Sequence, residues 1–430
     1  MLVDFTVTNF RSIREPITLS LMETSPRKRR QKGASRSRPL KTDEEISPAL
    51  DVPRQTWKVL RAAGLFGPNA SGKSNVVKAL DVLLRLMQGQ RVAKSELAPF
   101  GLDDTSQAAP MRFDVRVATS DGLFRYALEL LDGQVIMERL LVSEGRRERK
   151  LFDRVQADGG TRWSFGSATK ASVKAIAEDL RADTVLLGLL VSKFQVAQFV
   201  PLTNWLGSGH GTVLADDHKF LGETTAHLLA EYPRDDRPAE FLSIIDSGIR
   251  GLRIDSIPDP SEEKRHRPMV KHVTRSGAEV WWPLREESAG NQHLFALALP
   301  VIFALSLGGL LILDEFGANL HPHLTQQIVQ LFQSPIYNTT GAQLVFNSHD
   351  STLLHGQLLR RDQIWFTERR EDGSSALFPL TDFGPRRDEV IDRNYLGGMF
   401  GAVPIVGLPD FGPKPAWLNA HVEEADAQGK

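Results

Sequence analysis

Hydrophobic and polar positions alternate from the first residues: in MLVDFTVTNF, apolar Val3, Phe5 and Val7 interleave with Asp4, Thr6 and Thr8, the two-residue period of a strand with one buried face. The spacing predicts strands over Leu2 to Asn9 and Ile17 to Met22, joined by a turn at Phe10-Arg11-Ser12, and a third strand over Trp57 to Phe66. The period changes at Ser74. Val76, Val77, Leu80, Leu83, Leu84 and Met87 then recur with the spacing of one helix face, predicting a helix over Ser74 to Gln88. From Met111 to Phe165 the pattern is β again, with MRFDVRV, FRYALEL and QVIMERLLV around a Leu-Asp-Gly turn, then KLFDRV and TRWSF around Gly159-Gly160. Such short turns make antiparallel hairpins, not crossovers. Ala168 to about Arg250 reads as mainly helical without sustained heptads, and two short strands flanking Arg275-Ser276-Gly277 lead into Glu286. The chain carries no internal repeat.

Leu294 to Leu313, LFALALPVIFALSLGGLLIL, contains no charged residue and is long enough to cross a bilayer. Pro300 and Gly308-Gly309 divide it instead into a helix, a turn and a short strand ending on Asp314-Glu315. A buried helix feeding a central strand is the reading adopted, since a membrane span would leave an acidic pair at its edge without a partner. Gln343 to Phe346 forms another apolar strand and ends in Asn347-Ser348-His349-Asp350.

Composition narrows the class without naming it. The 430 residues are 41% hydrophobic and 24% charged, the mix of a globular chain of more than one unit. With 52 basic against 53 acidic residues the net charge is -1, so no global basic footprint marks a dedicated nucleic-acid binder. The absence of cysteine excludes disulfides and thiolate chemistry, and with no export signal in the first residues a cytoplasmic location is expected. Ser25 to Lys41, rich in Arg and Lys and free of acidic residues, reads as a solvated loop or a local contact for an acidic partner.

The chemistry lies in four short stretches. Gly67-Pro68-Asn69-Ala70-Ser71-Gly72-Lys73-Ser74 matches G-x-x-x-x-G-K-[ST] between a predicted strand and a predicted helix. There the glycines let successive backbone N–H groups face phosphate oxygens, Lys73 reaches the β- and γ-phosphates, and Ser74 supplies an oxygen to Mg²⁺. In LLILDEF, four apolar residues deliver two carboxylates to a strand's C-terminal end: Asp314 as a Mg²⁺ ligand and Glu315 as the group that polarises an attacking water. His349, a histidine after a strand, acquires a role beside that acidic pair, where a neutral imidazole can sense the γ-phosphate. His321 and His323 lack a third ligand nearby and read as loop packing or a dimer contact.

NFRS, GPNASGKS, LLILDEF, GANLHP and NSHD together resemble the ABC-type ATPases of the SMC and RecF class. Glu287-Ser288-Ala289-Gly290-Asn291-Gln292 stands where that class carries its signature sequence; it departs from LSGGQ but keeps Ser288 and Gly290 as signature candidates. ESAGNQ, HPHL and YLGGMFGAVP (Tyr395 to Pro404) bring the chain closer to the bacterial abortive-infection and phage-defence ATP-binding proteins, over about residues 1–115 and 285–405. Gln107 is the nearest candidate for that class's glutamine loop, which is otherwise not evident.

The resemblance implies an α/β P-loop ATPase head of ABC type with an antiparallel β-subdomain and a helical insertion. The expected units are the P-loop half of the head (1–110), a β-hairpin subdomain (111–167), a helical lid or arm (168–284), the half carrying signature, acids and His349 (285–410), and a tail (411–430). It also implies ATP with Mg²⁺, sandwiched between the P-loop of one copy and the signature of another. The expected partner is a separate effector, a TOPRIM or other nuclease or a toxin, with DNA or a phage protein as trigger. The stretch after His349 is too short for a TOPRIM domain, so the effector is expected on another chain. The alternative implied function is DNA repair or chromosome maintenance.

Overall fold

The computed structural model of the chain describes residues 1–24, 49–145, 147–167, 169–194, 196–214, 217–245, 248–258, 265–355, 358–386 and 389–403. The basic stretch 25–41, Pro404 and the tail 411–430 lie outside them. Six strands form a central sheet in the order Gly211–Val213, Leu310–Leu313, Gln343–Asn347, Ala62–Phe66, Ile364–Arg369, Ser375–Pro379. The first five run parallel, and the last turns back antiparallel.

Side chains along these strands alternate between two cores. Ala63, Leu65, Leu310, Ile312 and Val345 face one, and Ala62, Phe66, Leu311, Leu313, Leu344 and Phe346 face the other. Burial on both faces is why LLIL and LVF read as unbroken apolar runs. On the first face lies the helix Lys73–Met87, with Val76, Val77, Leu80 and Leu83 in the core. Above it sits a seven-stranded antiparallel sheet in the order 160–165, 147–157, 134–144, 123–131, 111–118, Leu2–Thr8, Ile17–Ser20. The predicted hairpins are all present. Asp132 and Gly133 both take positive φ, at 52° and 78°, as a two-residue hairpin turn requires.

The second face is covered by Ala289–Leu307, Pro322–Gln333, His218–Glu231, Arg237–Ile245 and Ile391–Leu396. The helix Ala289–Leu307 has the length and apolarity of a membrane span, yet His293 to Leu299, Val301, Ile302 and Ala304 are buried in this core. Pro300 lies within the helix without breaking it, and the helix ends at Gly308, with φ 74°.

Four features differ from the sequence-based expectation. The strand expected over Trp57 to Phe66 is two: Lys58–Leu60 pairs with Ala49–Asp51, while Ala62–Phe66 enters the central sheet. The divide falls at Arg61, buried with its Nη1 donating to Asn338 O at 2.8 Å. Gly211–Val213, within the expected lid, pairs parallel with Leu310–Leu313, so the helical segment contributes an edge strand to the head itself. Ile364–Arg369 and Ser375–Pro379 were not anticipated, nor was Leu252–Ile257, which completes a three-stranded sheet with Arg265–Val273 and Glu279–Pro283.

A buried polar cluster ties the antiparallel sheet to the helices beneath it. Glu138, with no exposed surface, accepts hydrogen bonds from Leu186 N (2.9 Å), Leu187 N (2.8 Å) and Tyr126 Oη (3.0 Å), capping the helix Leu186–Lys193 from another element. Arg154, equally buried, donates to Thr184 O (2.8 Å) and Arg181 O (3.2 Å) just before that helix. Burial pushes the Glu138 carboxyl up and the Arg154 guanidinium down from their ordinary ranges; the hydrogen bonds oppose the first shift, and the attraction between the two groups opposes both. Because the donors would be left unpaired and Arg154 uncompensated, Glu138→Ala should destabilise the fold by about 3–5 kcal/mol. Thermal unfolding checks this; an unchanged melting temperature would show that the cluster is not a tether.

Candidate functional site

The strand Ala62–Phe66 ends at the phosphate loop, which the surroundings hold in one shape. Gly67 has φ 155°, and a Cβ there would lie 2.4 Å from Thr367 O; Gly72 has φ 102°, and its Cβ would lie 2.0 Å from Ser375 Oγ. The loop is thus pressed against the two strands that the sequence reading missed. Ser71 Oγ meets Thr367 Oγ1 at 2.6 Å, and Ser12 Oγ bonds both Ser375 Oγ (2.7 Å) and Asn75 Nδ2 (2.6 Å). Ser375 N donates to Ser12 O at 2.8 Å. The NFRS stretch is therefore a staple behind the loop: Asn9, at φ 55°, accepts from Phe100 N and donates to Ser106 O, while Ser12 locks the first turn of the helix.

Lys73 is buried, with Nζ donating to Gly67 O (2.7 Å) and Pro68 O (2.8 Å) across the loop. Burial lowers its pKa to about 8, while the charges of Asp314 and Glu315 act to raise it. Pro68 is half-buried, Asn69 and Ala70 are exposed, and Ser74 is half-buried in the first helical turn, where its hydroxyl fits a metal ligand beside the loop. Two strands away, Asp314 and Glu315 emerge from Leu310–Leu313, with Asp314 buried and Glu315 exposed. Glu315 has φ 53°, a left-handed conformation uncommon outside glycine.

His349 follows the intervening strand, its neighbours fixed by Ser348 N to Leu65 O (3.0 Å) and Asp350 N to Ser348 Oγ (3.0 Å). Partial desolvation and the Lys73 charge hold its imidazole below the ordinary range, against the pull of Glu315 and Asp314. Both effects favour the neutral ring over the charged one. Lys73, Asp314, Glu315 and His349 thus converge at the C-terminal edge of one parallel sheet, where ligands bind in α/β folds.

Ser288 and Gly290 lie elsewhere. Ser288 is the exposed N-cap of Ala289–Leu307, accepting from Asn291 N at 3.2 Å, and Gly290 sits against Asn319 O, which a Cβ would approach to 3.0 Å. No hydrogen bond or ion pair joins either residue to Gly67–Ser74 among the described residues. Gln107 donates to Gly101 O (3.2 Å) at the end of a short helix and is not brought to the phosphate loop by a hydrogen bond. His321 Nδ1 accepts from His323 N (3.2 Å), capping the helix Pro322–Gln333, and no cluster of three metal-ligating side chains exists among the described residues. In the YLGGMFGAVP stretch, the buried Tyr395 ring stacks on Phe366 at 5.4 Å.

Fold and site together define a mixed α/β P-loop ATPase domain. Residues 62–355 match the family described as "AAA domain, putative AbiEii toxin, Type IV TA system". That match spans well over half of the chain, which therefore belongs to this family. No curated protein matches it. Among solved structures it is similar to an SMC head bound to the C-winged helix domain of ScpA, with 12% identity and a TM-score of 0.45 over 88% of this chain and 97% of that one. It is similar also to an SMC head domain with an extended coiled coil, bound to the C-terminal domain of ScpA derived from Pyrococcus furiosus, with 12% identity and a TM-score of 0.37 over 93% and 99% of the two chains.

Because Gly72 combines a left-handed φ with a Cβ position filled by Ser375, Gly72→Ala should displace the loop and weaken ATP binding more than about tenfold, a cost of some 1.4 kcal/mol. Gly101→Ala, where an added Cβ meets nothing within 4 Å, is the control and should bind normally. Equal affinities in the two variants would refute the packed-loop account.

Proposed function

We propose that the chain binds ATP with Mg²⁺ at the phosphate loop and hydrolyses it, two copies closing around the nucleotide, and that this closure controls a separate toxin or nuclease effector in anti-phage defence. The observation that carries the reading is the convergence of Lys73, Asp314, Glu315 and His349 on one sheet edge above Gly67–Ser74. The family's description as a toxin and type IV toxin–antitoxin module supports the defence setting.

In this mechanism the loop N–H groups and the start of Lys73–Met87 hold the phosphates, and Lys73 Nζ turns from the Gly67 and Pro68 carbonyls to the β- and γ-oxygens. Ser74 and Asp314 would hold the metal, and a bound Mg²⁺ neutralises charge that builds on the phosphate oxygens. Glu315 orients and polarises the attacking water. His349, kept neutral, bonds the γ-phosphate and reports its loss. Ser288, exposed at a helix N-terminus, and the half-buried Gly290 beside it would meet the γ-phosphate of a second copy.

Lys73→Ala should lose about 1.5–3 kcal/mol of charge-assisted hydrogen bonding, or tenfold to about 150-fold in ATP affinity. Glu315→Gln should bind ATP normally while kcat falls by about 10² to 10⁴. In cells, the Glu315→Gln variant should change protection against phage, and deleting the neighbouring effector gene should abolish it. A Glu315→Gln strain that hydrolyses no ATP yet protects normally would show that turnover is not the switch.

Ser288→Arg tests assembly separately, since it places a bulky cation against the opposing copy's phosphate site. ATP binding should survive while hydrolysis falls, and wild-type turnover should decline on dilution. A monomer that hydrolyses ATP at the full rate would overturn the two-copy arrangement.

A further inference from the structure

One residue of NSHD other than the histidine, Asn347, contacts each residue of the acidic turn. Asn347 ends the strand Gln343–Asn347 and has no exposed surface. Its Nδ2 donates to Asp314 Oδ1 in a short hydrogen bond, its Oδ1 accepts from Glu315 N at 2.9 Å, and its backbone carbonyl accepts from Phe316 N at 2.8 Å. Three consecutive residues are thereby held by one. On its other side Asn347 pairs in register with Leu65 of the phosphate-loop strand, and the next residue, Ser348, donates to Leu65 O.

From this geometry we infer that Asn347 is the positioning residue that sets Glu315 for water activation and presents Asp314 to the metal. The inference deepens the hydrolysis reading above and rests on it. Glu315 occupies a left-handed backbone conformation that a non-glycine residue keeps only when its surroundings over-determine it. The surroundings here are the Asn347 amide oxygen on Glu315 N, with Phe316 N fixed by the same residue's carbonyl. Released from the amide, Glu315 relaxes toward commoner backbone angles and its carboxylate swings away from Lys73 and His349, whose electrostatic surroundings it now shares. The amide nitrogen meanwhile occupies one oxygen of Asp314 and orients the other, as hydrogen-bond partners behind a metal-binding carboxylate do.

The residue type follows from this double duty. One donor and one acceptor on a short planar group must serve two adjacent residues within a buried slot, and asparagine supplies both. Aspartate would set a carboxylate against Asp314, serine would be too short to reach both groups, and alanine would leave Glu315 N without an acceptor.

The test uses the full-length protein. Asn347→Ala should lower kcat at saturating ATP and Mg²⁺ by about 10- to 100-fold. A double-mutant cycle with Glu315→Gln separates positioning from a general structural role: in the Glu315→Gln background the further loss from Asn347→Ala should be under about threefold. Calorimetry with a slowly hydrolysed ATP analogue should show that the variant loses most of the Mg²⁺-dependent gain in affinity and keeps the metal-free affinity. Asn347→Ser serves as second variant should alanine not fold, with the same pattern expected. Wild-type turnover in a folded Asn347→Ala, or losses that simply multiply in the cycle together with an unchanged Mg²⁺ effect, would overturn the inference. A wild-type protein that binds but never hydrolyses ATP would sink the hydrolysis reading, while the Mg²⁺ titration would still decide the role of Asn347 at Asp314.

Discussion

The phosphate loop and the two acids must emerge at the same edge of one sheet, so the strands that carry them, Ala62–Phe66 and Leu310–Leu313, have to run parallel with a single strand between them. Parallel strands cannot be joined by a tight turn; each connection has to cross back to the opposite edge. The long chain between residues 66 and 310 makes this crossing, and it carries five of the seven strands of the antiparallel sheet, a set of helices and a three-stranded sheet. Its return is not free. Gly211–Val213 adds itself beside Leu310–Leu313, and Asp314 N donates to Val213 O at 2.9 Å, so the insertion supports the strand end that bears the acids.

Burial on both faces gives the sheet its apolar strands, but the edge where the chemistry sits is polar and depends on hydrogen-bond completeness. Buried donors and acceptors left unpaired are expensive, and here they are paired across elements distant in sequence. Ser71 reaches Thr367, Ser12 reaches Ser375 and Asn75, and Asn347 reaches Asp314 and Glu315. The same network that satisfies these groups leaves Lys73, Glu315 and His349 aimed at one another's space. Stability and site geometry therefore have one source at this edge.

The parts of this arrangement that were legible in the sequence are those written in local pattern. Strand–GPNASGKS–helix, LLILDEF and the hairpins between Met111 and Phe165 each carry their signal within a short window, and all are where the pattern put them. Ile364–Arg369 and Ser375–Pro379 were missed because IWFTER and SALFP are short and unevenly apolar, and only the fold shows that they back the phosphate loop. Gly211–Val213 is three residues long and takes its identity from its neighbour. The split at Arg61 depends on an acceptor, Asn338 O, that no local window reveals. Asn347 was visible as part of NSHD, but its contact with the acidic turn is a matter of register between parallel strands.

The acidic turn is joined by contacts to the surface that carries Ser288. The turn after Glu315 does not end in solvent. Ala318 O meets His293 Nδ1 at 3.0 Å, and Asn319, itself at φ 64°, rests its carbonyl against Gly290. The first turn of Ala289–Leu307 is thus built upon the loop that leaves the acids. It is bonded on its other side through Glu287, which accepts from Asn291 Nδ2 at 3.0 Å and meets His272 Nε2 at 2.8 Å on the three-stranded sheet. Packed contacts of this kind shift as units and do not stretch. A displacement of the Glu315 turn would carry Ala318 and Asn319 with it, and through them the helix start and the sheet beyond. The distance in sequence between the phosphate loop and Ser288 is therefore bridged within one copy by a short path of contacts, in addition to any contact made across two copies.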